Sequence, residues 1–205
     1  MRRLRVLGVL AVGLVLTGCV STYAMVAPGQ VNVQGLQLDV PRAWNQAPPM
    51  VVPYARKTAQ VWTRDGLLLD RLIVVPGVAS GESLFVSPQK DAAFPIYRAS
   101  MLPNELEELS ESSIVKVFGE GNASVSTSGL RPHRFGDDRG VLFDVEIAVT
   151  DGPEYRGLVG SFTTGDRLYW IMYVAAVPYY FDKTLAEAEG IITAARLAPV
   201  AEGDG

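Results

Sequence analysis

The chain has 205 residues, with 18 basic and 22 acidic side chains, one histidine, one cysteine and a formal charge of −4. One histidine and one cysteine are too few soft ligands for a zinc finger, an iron–sulfur cluster or a histidine-based metal site, and they preclude an internal disulfide framework. The acidic balance argues against a nucleic-acid-binding surface, and an apolar fraction of 48% predicts a globular chain.

The chain opens on Met1-Arg2-Arg3-Leu4-Arg5, followed by eleven uncharged residues from Val6 to Leu16 and then Thr17-Gly18-Cys19. A basic start, a short apolar run and a small residue at the cut have the layout of an export signal. The run falls short of the roughly 20 apolar residues a spanning helix needs. Gly8, Gly13 and Gly18 also disfavour a buried core helix. Leu16-Thr17-Gly18-Cys19 resembles the lipobox of bacterial lipoproteins. That resemblance implies diacylglyceryl attachment to Cys19 with acylation of its amino group (palmitate-type chains), and cleavage after residue 18. The alternative is ordinary secretion with a coincidental cysteine. Two or three acyl chains anchor a protein stably where one does not. Val20 replaces the aspartate that retains lipoproteins in the inner membrane of Gram-negative cells, so the resemblance further implies the outer membrane, facing the periplasm. Loss of Arg2, Arg3 and Arg5 leaves 15 basic against 22 acidic side chains, a balance of −7. Such a domain is not drawn to anionic lipid by charge, so the expected membrane partner is engaged through lipid on Cys19.

Residues 19–30 then read as a lipidated start and tether, 31–198 as one domain and 199–205 as a flexible tail. Val31/Val33 and Leu36/Leu38/Val40 alternate with polar residues, interrupted by Gly35 and stopped by Pro41. Residues 59–63 and 67–75 flank Arg64-Asp65-Gly66, a hairpin-turn signal. A helix is predicted over 103–118, with Leu106, Leu109, Ser113 and Val117 on one face, glutamates in its first turn and Gly119 as its stop. Strands follow at about 123–135, 140–149, 154–164 and 167–177, joined by Gly136-Asp137-Asp138, Asp151-Gly152-Pro153 and Gly165-Asp166. Such short links make an antiparallel meander. A second helix is predicted from about 181 to 196, with Asp182 as its N-cap and Leu185, Ala188 and Ile192 on one side. Residues 168–177 are apolar on both parities, as a central strand covered on both faces would be. The expected fold is α+β: one antiparallel sheet of six to seven strands with helices on both faces.

This order of elements, with a strand ending in Pro41-Arg42-Ala43-Trp44 and the later turn Gly165-Asp166-Arg167-Leu168-Tyr169, is similar to the PsbP-like family. The resemblance implies an α/β/α sandwich and an accessory, protein-binding role. The metal-binding role of some members is not carried over, since its ligand positions have no match.

Candidate chemistry is sparse. His133, near Asp137 and Asp138, is a formal general base with no nucleophile elbow to serve, and a solvated hairpin-end histidine is the plainer reading. Arg131, His133, Arg134 and Arg139 form a candidate anion site. Asp144 and Glu146 share a strand face at about 7 Å, a spacing catalytic carboxylates use, but Arg156 on the next strand predicts a cross-strand ion pair instead. Trp44, Tyr54, Trp62, Phe94, Tyr97, Tyr179, Tyr180 and Phe181 either fill the core or gather as a binding patch or the mouth of an apolar pocket. The sequence thus predicts a non-catalytic, lipid-anchored envelope protein, without cofactor, that binds another envelope protein. The alternative is a periplasmic carrier of a small apolar or lipidic ligand.

Overall fold

A computed structural model describes residues 22–87 and 93–199; Cys19 and the export signal lie outside the described residues. Among the described residues, eleven strands and two α-helices follow one another. They are β1 (Ala24–Val26), β2 (Gly29–Val33), β3 (Leu36–Val40), β4 (Trp44–Gln46), β5 (Gln60–Thr63), β6 (Asp70–Ala79), α1 (Pro103–Phe118), β7 (Ala123–Phe135), β8 (Asp138–Val149), β9 (Glu154–Thr164), β10 (Arg167–Ala176), α2 (Tyr179–Thr193) and β11 (Arg196–Leu197). The main sheet has eight strands, ordered β1-β4-β5-β6-β10-β9-β8-β7, and every pairing is antiparallel.

The α+β class expected from sequence is the one observed, but the sheet is larger than six to seven strands and a second sheet exists. Val31 to Val40 do not join the main sheet; β3 pairs with β2 on one side and β11 on the other in a three-stranded sheet. Pro41 ends β3, and the chain crosses to the main sheet at Trp44. Residues 24–26, read as tether, form β1 on β4 and bury Val26.

Two cores result, one per face of the main sheet. On one face Leu106, Leu109 and Ile114 of α1 meet Ile73, Phe143, Val145, Trp170 and Met172. On the other, Ala188, Ile191 and Ile192 of α2, together with Leu36 and Leu38 of the small sheet, meet Leu72, Leu158, Ile171 and Tyr173. Strand β10 alternates between them, Trp170/Met172/Val174 against Ile171/Tyr173/Ala175, which is why it is apolar on both parities. Helix α2 comes close to β9 because residue 160 is glycine: a Cβ there would lie 2.4 Å from Ile192 Cγ2.

Helix α1 spans the predicted residues; Glu105 accepts the Leu102 N–H at its start and Gly119 ends it at φ 87°. Helix α2 is displaced from prediction. Pro178, which cannot donate to a preceding turn, precedes its first residue, Asp182 lies inside its first turn, and Arg196 has moved to β11. Strand β6 starts at Asp70, three residues later than expected. The buried Asp70 carboxylate accepts from Thr63 Oγ1 (2.8 Å), Arg64 N (3.1 Å) and Asp65 N (2.9 Å), which holds 64–69 as a tight loop.

Candidate functional site

Helix α2 and the small sheet do not cover the whole of their face. Over β7, β8 and β9 the strands continue past Phe181, Leu185 and Glu189 of α2 into solvent, leaving an open groove of about 440 Å³. A smaller groove of about 210 Å³ continues it and shares Glu146 and Arg156 with it. The floor follows from strand parity. Odd residues of β8 enter the α1-side core, so Asp144 and Glu146 project the opposite way, beside Ser124, Ser126 and Ser128 of β7 and Arg156 of β9. Alternate strand residues stand about 7 Å apart, so the three serines form a hydroxyl row along the groove.

Glu146 is in register with Arg156 and pairs with its Nε at 3.3 Å, the cross-strand pair the sequence predicted. Asp144 is in register with Ser128 and accepts from Arg131 Nη1 at 3.2 Å. That second pair depends on a bulge: Gly129 and Leu130 together oppose Phe143 alone, and the extra residue turns Arg131 onto the face of Ser128. Gly129 sits at φ 67°, and a Cβ there would lie 2.6 Å from Asp144 Oδ2. Asp144 and Glu146 therefore each face their own guanidinium, in alternating charge order across three strands.

The arginine–histidine cluster is kept in part: His133, Arg134 and Arg139 line one open pocket of about 450 Å³ with Pro132 and Gly140, and Arg131 lies apart from them. Arg131 belongs to the groove. His133 Nε2 lies 3.0 Å from the Thr193 carbonyl oxygen, to which it donates, pinning β7 to the end of α2, and its ring meets Phe135 edge-on at 4.8 Å. Arg134 donates to the Asp137 carbonyl oxygen, and Arg139 is exposed directly across the ladder from Arg134. No nucleophilic hydroxyl contacts His133 among the described residues.

The aromatics mostly fill the two cores. Trp44, Trp62 and Tyr97 are fully buried, Tyr54, Phe94, Tyr180 and Phe181 are half-buried, and Tyr179 is 65% exposed. The apolar gap beside Tyr54 and Phe85 has only about 10 Å³, room for no more than one water, which needs about 10–15 Å³. The pocket that an apolar-ligand carrier requires is not formed there.

A second polar cluster was not anticipated from sequence. Glu187 of α2 receives Arg64 Nη1 at 2.9 Å, a second bond from Arg64 Nη2, and Trp44 Nε1 at 3.2 Å. The Arg64 guanidinium lies over the Trp44 ring at 4.6 Å. The hydrogen-bonded Glu187 carboxylate raises the Arg64 pKa above its ordinary value against the opposing effect of burial. Lys183 clasps Asp65 at 2.6 and 2.7 Å beside this cluster. Together these contacts clamp α2 to the β5–β6 loop. The 123 residues separating Arg64 from Glu187 leave no local signal of the contact.

No protein-family model and no curated protein sequence matches the chain. Among solved structures, the cyanobacterial PsbP protein CyanoP of Synechocystis sp. PCC 6803 matches with a TM-score of 0.55 at 10% identity, over 89% of this chain and 96% of that one. The fold is PsbP-like. Weaker likeness extends to a protein of Bacteroides thetaiotaomicron VPI-5482 (TM-score 0.44, 14% identity, 86% of this chain and 50% of that one). LpqN, involved in cell envelope biogenesis of Mycobacterium tuberculosis, has a TM-score of 0.35 at 9% identity, over 89% and 88% of the two chains. At these identities the PsbP-like match establishes architecture and leaves function to the residues.

Proposed function

We propose that this chain is a lipid-anchored cell-envelope protein of the outer membrane, held through Cys19 and facing the periplasm, whose domain is a non-catalytic binding or accessory factor for another envelope protein. The observation that carries the anchor is the position of the only cysteine: it ends Leu16-Thr17-Gly18-Cys19, directly after an eleven-residue apolar run. The binding role is supported by the open half of the sheet, where hydroxyls and charges of both signs face solvent instead of a helix. A non-catalytic role is supported by the pairing of Asp144 with Arg131 and of Glu146 with Arg156. Each carboxylate is engaged by a neighbouring guanidinium, as in an ordinary ion-paired polar face of a sheet.

Mass spectrometry of the membrane-extracted protein tests the anchor. The expected amino-terminal peptide begins at residue 19 and carries a diacylglyceryl thioether, and Cys19→Ser moves the protein to the soluble fraction. An unmodified Cys19, or a Cys19→Ser protein that still fractionates with membranes, would refute it.

A further inference from the structure

Strand β7 closes one end of the main sheet and pairs only with β8, so alternate N–H and C=O groups along its thirteen residues point away from the sheet. Among the described residues, no backbone–backbone bond outside the β8 ladder engages Ala123 to Ser128. Exposed edges of this kind are ordinarily guarded by charge, proline or a bulge. The second half of β7 carries all three: the Gly129–Leu130 bulge, Pro132, and Arg131 and Arg134. The first half, Ala123-Ser124-Val125-Ser126-Thr127-Ser128, carries none and has no charge. The edge at the opposite end of the sheet, β1, is only three residues long. One six-residue stretch of edge is thus left open beside a stretch that is closed.

The flank of that stretch is acidic. Helix α1 runs back alongside β7 after the turn at 119–122, and Glu111 accepts from Thr127 Oγ1 at 2.9 Å. Glu107 lies one turn earlier on the same side of α1, and neither glutamate has a cationic partner among the described residues. Four helical residues advance about 6 Å, and alternate residues of a strand advance about 7 Å, so a strand laid along β7 would bring every second side chain past this pair of carboxylates.

We propose that Ala123–Ser128 accepts an extended segment of a partner protein by strand addition, a segment with Lys or Arg at alternate positions whose cations meet Glu107 and Glu111. Backbone pairing to an open edge supplies affinity in this mode and the alternate side chains supply specificity. The inference rests on the reading of the domain as a binding factor; it does not depend on the anchor.

The test uses the full mature chain and the peptide acetyl-Thr-Lys-Val-Lys-Val-Lys-Thr-amide. Two further forms of the peptide are N-methylated at alternate residues, so that each blocks one edge. The expected result is amide shifts and slowed exchange at Ala123–Ser128, with one N-methylated form binding normally and the other at least tenfold more weakly. Glu107→Gln with Glu111→Gln is expected to weaken binding several-fold, as is added salt. Ser124→Lys with Ser126→Lys, two exposed positions, should abolish binding while leaving the melting temperature within a few degrees. Equal binding of both N-methylated peptides, shifts confined to other surfaces, or no binding at 1 mM would overturn the proposal. So would a concentration-dependent dimer, blocked by the lysine variant, that already occupies the edge. A partner crosslinked in membranes through a different surface would leave the binding-factor reading intact while refuting this site.

Discussion

The same chemistry, arginine against carboxylate, occurs in two regions of one sheet face with different consequences. Under α2, Arg64 and Glu187 are largely sheltered, at 20% and 12% side-chain exposure, and share their charges with the Trp44 indole. In the open half, Arg156 and Glu146 are 58% and 62% exposed. Sheltered pairs are costly to break because one charge is stranded, whereas exposed pairs contribute little and exchange readily with solvent or a partner. Burial therefore separates a clamp that builds the domain from charges the fold does not need.

Several substitutions would break or sharpen this contrast. The largest loss is expected under α2. Trp44→Ala removes a fully buried indole and should cost about 3–5 kcal/mol in denaturant unfolding. Glu187→Ala leaves Arg64 unpaired and should cost about 3 kcal/mol. Gly160→Ala comes next: its Cβ meets Ile192 Cγ2 and the Phe135 ring, and pushing α2 from β9 should cost about 1–3 kcal/mol. A pH effect is smaller at neutrality. Burial holds the Tyr173 hydroxyl well above its ordinary value while it donates to the Tyr180 carbonyl oxygen. A raised pKa in the fold gives stability that is complete below the unfolded value, about 10, and is lost as pH rises beyond it. Unfolding midpoints should fall above that pH, and Tyr173→Phe should flatten the fall. The smallest effect belongs to the open half, where Glu146→Gln should change stability by no more than about 0.5 kcal/mol.

What could be read in advance divides along similar lines. The limits of β7, β9 and α1 were legible because Gly119, Gly136, the Asp151-Gly152-Pro153 turn and Gly165 punctuate them locally. The pair of Glu146 with Arg156 was legible because a short turn fixes the β8–β9 register. Arg131 on Asp144 was not, because strict alternation places residues 128 and 131 on opposite faces and only the bulge brings them together. The start of β6 was set by the carboxylate of Asp70, and the small sheet by β11, a two-residue strand that follows α2. Neither has a periodic signature. The clamp at Glu187 is purely tertiary. The hydroxyl row was written in Ser124, Ser126 and Ser128, but its importance depends on α2 stopping short of it.

The claim that the open half is free of structural duty is tested most directly by two double-mutant cycles measured by denaturant unfolding. One uses Arg64→Ala and Glu187→Ala, the other Arg156→Ala and Glu146→Ala. The account predicts a coupling of about 1–3 kcal/mol for the first pair and no more than about 0.5 kcal/mol for the second. A Glu146–Arg156 coupling as large as that of Arg64 and Glu187 would contradict it, because those charges would then be holding the sheet together.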